Sequence, residues 1–345
     1  MHARWYFLNT LATLALAAIG ACMAWAASIP LPFLVGPTVI VVMARKKWPS
    51  LDIPPRLREA AMVVAGTCIG VVTPAGLAIS WQMWLVSGFV MVVYVALSAA
   101  VARVYLERVA KFTHATALLA GQPGGILVMM ALSGAAAAQT GRVLFVHAIR
   151  VAAGPLSVAL FLAWLGYPVP SRIPESEIAA PAMSWLHILF LYGSCLTGFG
   201  VARRIRLPAA ELLGPILTSL LIVQMGWVTG SPPLWPLMVA LAITGSSVAT
   251  GIPRLSGREL VSDGFHSLVV MLIFIGLAWS AAWMLSKFST IHPVAFFLAA
   301  TPSGLTEMPA IAALLGLNAT YVALIETVRF LVCAVQATWQ VKALK

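Results

Sequence analysis

The chain has 345 residues, 61% of them hydrophobic and only 9% charged, with a mean hydropathy of +0.98. Soluble domains carry about a quarter charged residues, so this composition excludes a water-soluble globular protein and points to a chain that lives in lipid. The formal net charge of +11 reads as cationic loops that orient membrane spans. A nucleic-acid surface is not expected, because no basic arm is interleaved with aromatic residues.

Taken in order, Arg4, an apolar run and then Ala24-Trp25-Ala26 have the outline of a signal peptide with its cleavage site. Leu8 to Ala27 is nevertheless about the ~20 residues that a span needs, and it is expected to be a retained first helix. Apolar runs follow at 31–44, 57–73, 77–102 and 141–165, with a 112–140 segment broken at Pro123-Gly124-Gly125. A Pro-rich bridge (Pro168, Pro170, Pro174, Pro181) leads to runs at 182–201, 207–226, 234–251 and 262–286, a broken 293–317, and 319–341.

The second half repeats the first. Pro123 and Pro302, Met129 and Met308, and Arg150 and Arg329 are each 179 residues apart; so are Gly66 and Gly245, and Pro74 and Pro253. Gly36-Pro37 and Gly214-Pro215 stand 178 apart. So small a drift over so long a stretch indicates a duplication, with residues 1–165 as one membrane repeat, 166–181 as linker and 182–345 as the second repeat.

Orientation turns on the broken segments. If each enters and leaves on one side, a half has five crossings and the second copy is inverted. All loop lysines and arginines except Arg172 and Lys287 then fall on the cytoplasmic side. If each crosses fully, Arg142, Arg203, Arg204, Arg206, Arg254 and Arg258 move outside. Because Lys and Arg accumulate on cytoplasmic loops, the re-entrant arrangement is preferred. The expected fold is therefore an all-α polytopic membrane protein, transporter-like, with two inverted repeats of about five spans plus a re-entrant or broken helix each. Both termini would be cytoplasmic.

The breaks are the expected site. Irregular backbone survives at membrane depth only where it faces protein or a wet cavity. Pro123 removes a donor, and Gly124 and Gly125 relax the dihedral limits. A half-helix starting after the break points its positive end into the membrane interior. Paired broken helices around a midplane site are how secondary transporters hold ions and anions. The candidate binding residues are Gln122, Pro123, Gly124 and Gly125 in the first copy and Pro302, Ser303, Gly304 and Glu307 in the second, with Arg150 and Arg329.

Both arginines sit near mid-bilayer, where each costs at least ~2.5–3.5 kcal/mol and so needs a partner in the bundle interior. Either could clamp backbone carbonyls or hold a substrate anion; Arg329 could also pair with Glu326 or Glu307. Glu307 is the best intramembrane carboxylate for coupling to a proton or cation, unless it serves only to neutralise Arg329.

Asp263 and His266 read as interfacial, and Gly66-x-x-x-Gly70 reads as close helix packing. Cys22, Cys68, Cys195 and Cys333 stand singly with no CxxC spacing, and the histidines show no HxxxH or HxH, so no metal site is expected. With no GxxxxGK[ST] loop and no GxSxG, neither enzyme chemistry nor a cofactor is expected.

The duplicated pattern Leu34-Val35-Gly36-Pro37, Pro123-Gly124-Gly125, Met129 and Arg150, with Leu212-Leu213-Gly214-Pro215, Pro302-Ser303-Gly304-Leu305-Thr306-Glu307-Met308 and Arg329, resembles the bacterial AbrB-type membrane protein family over nearly the whole chain. The family looks like a distant branch of the cation/proton antiporter and anion transporter superfamily, which implies inverted repeats and alternating access. Its members carry labels such as ammonia monooxygenase or regulator of gene expression; this sequence offers neither copper ligands nor a DNA-binding element. It departs from the pattern in lacking an acidic residue after the first break and in having Ser303 where glycine is common. It also has no intramembrane Asp-Asp or Asn-Asp pair.

The expectation is an inner-membrane, multi-pass secondary transporter of a small anionic solute. The alternative is a membrane-embedded sensor that regulates gene expression without transport, docking through the 45–58 and 103–111 loops. The expected partners are the lipid bilayer and a small-molecule or ion substrate, with room for a homodimer.

Overall fold

A computed structural model describes residues 2–29, 31–72, 81–167, 183–207, 209–230, 232–251, 257–303 and 307–343. The prolines of the linker, Pro74, Pro253 and Gly304 lie outside them. Among the described residues the chain is all helix with no strand. The first half forms α1 (His2–Ala26), α2 (Pro32–Ala44), α3 (Pro55–Val72), α4 (Trp81–Arg108), α5 (His114–Ala120), α6 (Ile126–Ala135) and α7 (Thr140–Trp164). The second forms α8 (Trp185–Arg204), α9 (Ala210–Gln224), α10 (Trp235–Gly251), α11 (Gly257–Ser286), α12 (Pro293–Ala300), α13 (Glu307–Leu314) and α14 (Ala319–Ala343).

Six helices, α1, α4, α7, α8, α11 and α14, are long and apolar enough to cross a membrane. This is a polytopic membrane architecture. Helices α2, α9 and α10 are apolar but have only 13, 15 and 17 residues. At ~1.5 Å per residue they reach about 20–26 Å.

The helices divide into two compact units that do not follow the sequence halves: Met1–Leu77, Pro155–Gly251 and Leu305–Ala323 form one, and Ala78–Gly154, Ile252–Gly304 and Leu324–Lys345 the other. Each unit draws on both halves, and the division falls inside α7 and α14.

Glycines decide the packing of the first unit. A Cβ added to Gly20 of α1 would lie 2.5 Å from the carbonyl oxygen of Gly36 in α2. Further along the chain, a Cβ on Gly214 of α9 would lie 2.8 Å from that of Gly198 in α8. Across the halves, Gly66 of α3 admits the Leu212 carbonyl of α9 to 2.6 Å of its Cβ position, while Gly245 of α10 packs against the Leu34 carbonyl of α2. Both pairs of contacts are related by 178–179 residues, and so are the left-handed residues Ser28 with Arg206 and Leu31 with Ala209. The Gly66-x-x-x-Gly70 spacing serves close helix packing: Gly70 meets the Ile216 carbonyl with only 2.5 Å to spare for a Cβ. Small residues let backbones approach where lipid offers no hydrophobic drive to association.

In the second unit, the Thr116 hydroxyl of α5 accepts from the Gln139 backbone N–H at 3.0 Å, just beyond the end of α6. Two half-helices in line would hold those residues tens of ångströms apart. The 112–140 segment therefore doubles back as a hairpin whose tip is Gly121–Gly125. Asp263, expected to be interfacial, is 1% exposed, with the Arg142 Nε at 2.9 Å from its carboxylate.

Gly36→Ala should lower the detergent melting midpoint by the equivalent of ~1–3 kcal/mol, the usual cost of overpacking. Gly88→Ala, where a Cβ meets nothing within 4 Å, should leave it unchanged or raise it. Equal midpoints would show that the α1–α2 approach is not tight.

Candidate functional site

Eight of the ten residues singled out from the sequence fall in the second unit: Gln122, Pro123, Gly124, Gly125, Arg150, Pro302, Ser303 and Arg329. All eight are buried. Gly304 lies outside the described residues. Glu307 is buried as the first residue of α13 in the first unit.

Each break packs against the arginine-bearing helix of the other half. A Cβ on Gly124 would lie 3.5 Å from the Arg329 Nη1 and 3.6 Å from the Cys333 Sγ, both on α14. A Cβ on Gly154 of α7, one turn past Arg150, would lie 3.3 Å from the Ser303 Cβ and 3.6 Å from the Pro302 carbonyl oxygen. Gly154 and Cys333 are 179 residues apart, as are Gly124 and Ser303. Gly125 at the tip takes φ of 74°, which only glycine adopts without strain, and α6 starts at the next residue.

The two arginines occupy matching positions and are not in matching states. Arg329, 0% exposed, is fully engaged. Its Nε donates to the Ala299 carbonyl at the end of α12 at 3.1 Å, its Nη1 to the Pro123 carbonyl of the opposite break, and its Nη2 to the Glu326 carboxylate at 2.7 Å. It therefore locks the end of one half-helix to the tip of the other hairpin. The expected pairing of Arg329 with Glu326 is therefore present.

Arg150, 1% exposed, makes one such contact. Its Nη2 donates to the His147 Nδ1 at 2.5 Å, three residues back, where Arg329 has Glu326. Its Nε and Nη1 find no acceptor among the described residues. These are the same two nitrogens that Arg329 spends on carbonyls. The His147 Nε2 lies 3.0 Å from the Leu119 carbonyl, which can only accept, so Nε2 carries the proton and Nδ1 receives from Arg150. His147 is thus a neutral partner and cancels no charge.

Around the guanidinium, the Phe274 ring centroid lies 5.1 Å from the Arg150 Cζ, and the Tyr94 hydroxyl donates to the Phe274 carbonyl at 3.5 Å. Arg150 is within electrostatic reach of Arg329, Tyr94 and Cys333. At the tip, the Gln122 Nε2 donates to the Gln340 Oε1 at 3.0 Å.

Sequence reasoning missed Gly154, Cys333, Phe274 and Tyr94. Gly154 and Cys333 carried a usable signal, standing 179 apart one turn beyond the arginines. Among the described residues no group of three or more His, Cys, Asp or Glu could hold a metal. Chemically, the cluster offers two donors on a buried, uncompensated guanidinium, which suits an anion.

Removing one partner of a buried ion pair typically costs about 3–5 kcal/mol, because the other charge is left alone. Arg329→Gln should therefore melt well below wild type in detergent. Arg150→Gln removes a charge with no counterion and should melt at or above wild type. A loss of stability in Arg150→Gln equal to that in Arg329→Gln would mean the two side chains do the same job.

A family model described as AbrB, transition state regulatory protein AbrB, matches residues 33–345. A protein of Escherichia coli (strain K12) named "Putative regulator AbrB" is 22% identical over 294 residues, covering 84% of this chain and 82% of that protein. No solved structure matches.

Proposed function

We propose that this chain, which belongs to the AbrB family, is a membrane carrier that binds a small anion at Arg150 and moves it by alternating access. The observation that carries the reading is the pair of unpartnered donors, Nε and Nη1, on a guanidinium that is 1% exposed. A buried polar group without a partner is costly, and a buried charge far more so. A chain that keeps one beside a twin with every contact filled is holding it for something that arrives from outside. The doubled-back 112–140 segment supports inverted repeats, since a hairpin that returns to its own side gives each half an odd number of crossings. That topology puts the cationic loops and both termini in the cytoplasm, with the inner membrane as the location. Broken helices and a deep site at the repeat junction are the working parts of secondary transporters.

The names of the family and of its relative favour a second reading, in which the same site senses an anion without moving it. Proteoliposomes loaded with a panel of radiolabelled organic and inorganic anions separate the two. Wild-type protein should give saturable flux, and Arg150→Ala should bring it down to the empty-liposome background. Binding without flux would favour the sensor; undiminished flux in Arg150→Ala would remove Arg150 from the path.

Topology has its own test. Single cysteines at Lys46 and Arg204, in a cysteine-free background, should both be labelled from the cytoplasmic side by a membrane-impermeant maleimide. Opposite sidedness would overturn the inversion.

A further inference from the structure

We infer that the Arg150 site is matched to one negative charge, so that its ligand is a small monovalent anion, a monocarboxylate or a halide, and doubly charged anions are rejected. The inference rests on the anion-carrier reading above and narrows it to a substrate class.

It follows from a count of buried charge in the second unit. The buried Asp, Glu, His, Lys and Arg side chains there, among the described residues, are His147, Arg150, Asp263, Glu326 and Arg329. Asp263 is matched by Arg142 at 2.9 Å, and Glu326 by Arg329 at 2.7 Å. His147 is neutral, because its Nε2 donates to the Leu119 carbonyl while its Nδ1 accepts from Arg150. One positive charge is left, on Arg150. A monoanion brings that count to zero. A dianion would leave a second negative charge desolvated with no cation to meet it, which low-dielectric surroundings penalise heavily.

The geometry agrees with a small ligand. The Arg150 Nη2 donates to His147 and the Phe274 ring lies 5.1 Å from its Cζ, while Nε and Nη1 are the nitrogens with no acceptor among the described residues. Arg329 already has its counter-charge in Glu326 and is tied to the Ala299 and Pro123 carbonyls. A second carboxylate on the same ligand would thus meet an arginine whose charge Glu326 already balances.

Purified full-length protein in detergent, in a Tris–HEPES buffer of constant ionic strength, is titrated calorimetrically with chloride, acetate, sulfate and succinate. Chloride or acetate, and the comparison says which source of charge is preferred, should bind saturably at one site. Sulfate and succinate should bind roughly 100-fold more weakly or not at all. Arg150→Gln should abolish the monoanion signal.

His147→Glu gives the site the carboxylate that its twin has in Glu326. It should fold, because that pairing is already stable around Arg329, and it should lose monoanion binding as well, its own carboxylate supplying the missing charge. Sulfate or succinate binding as tightly as acetate, in an Arg150-dependent way, would overturn the single-charge inference and leave the anion site standing. Monoanion binding that survives in a folded His147→Glu would overturn it too. If none of the four anions binds in an Arg150-dependent way, the anion-carrier reading fails, and the inference with it.

Discussion

Two guanidinium groups held away from water set the terms for everything around them. Neither can shed its charge as a carboxylate or an imidazole can, and neither has a stem long enough to reach an interface from mid-helix. Each therefore calls for acceptors, from the protein or from a bound anion. The strongest acceptors at that depth are the carbonyls at the ends of interrupted helices, freed by the very breaks that would otherwise be expensive. Arg329 shows the two costs cancelling: Ala299 and Pro123 present carbonyls that no helix uses, and the arginine takes both. The breaks and the arginines are parts of one device, each making the other tolerable.

Duplication made two such devices, and divergence at one position separated their roles. With Glu326 three residues before it, Arg329 is neutralised and holds structure. With His147 in the corresponding place, Arg150 is oriented by a neutral ring and keeps its charge. A single acid-to-imidazole difference thus leaves one arginine paired with a carboxylate and the other with a neutral ring. On the carrier reading proposed above, the loaded and empty states would differ by one buried charge, and unpaired charge at depth is what a bilayer resists.

Close approach is the other condition. Gly20, Gly36, Gly66 and Gly245 let carbonyls lie where any Cβ would collide, which ties α2, α3, α9 and α10 crosswise between the halves of the chain. Each compact unit contains elements from both sequence halves.

Much of this was readable from the residues alone. Hydropathy runs located the helices to within a few residues, because exclusion of charge from lipid is a local property of the sequence. The placing of Arg150 and Arg329 inside apolar runs marked them as buried for the same reason. What the sequence could not decide was which arginine is satisfied, that Glu326 answers Arg329, or that the halves pack crosswise. A guanidinium's acceptors lie where the folded chain brings them, 30 residues away at Ala299 and 206 away at Pro123. Local pattern determined that the charges are buried; only tertiary structure decided which of them is left without a partner.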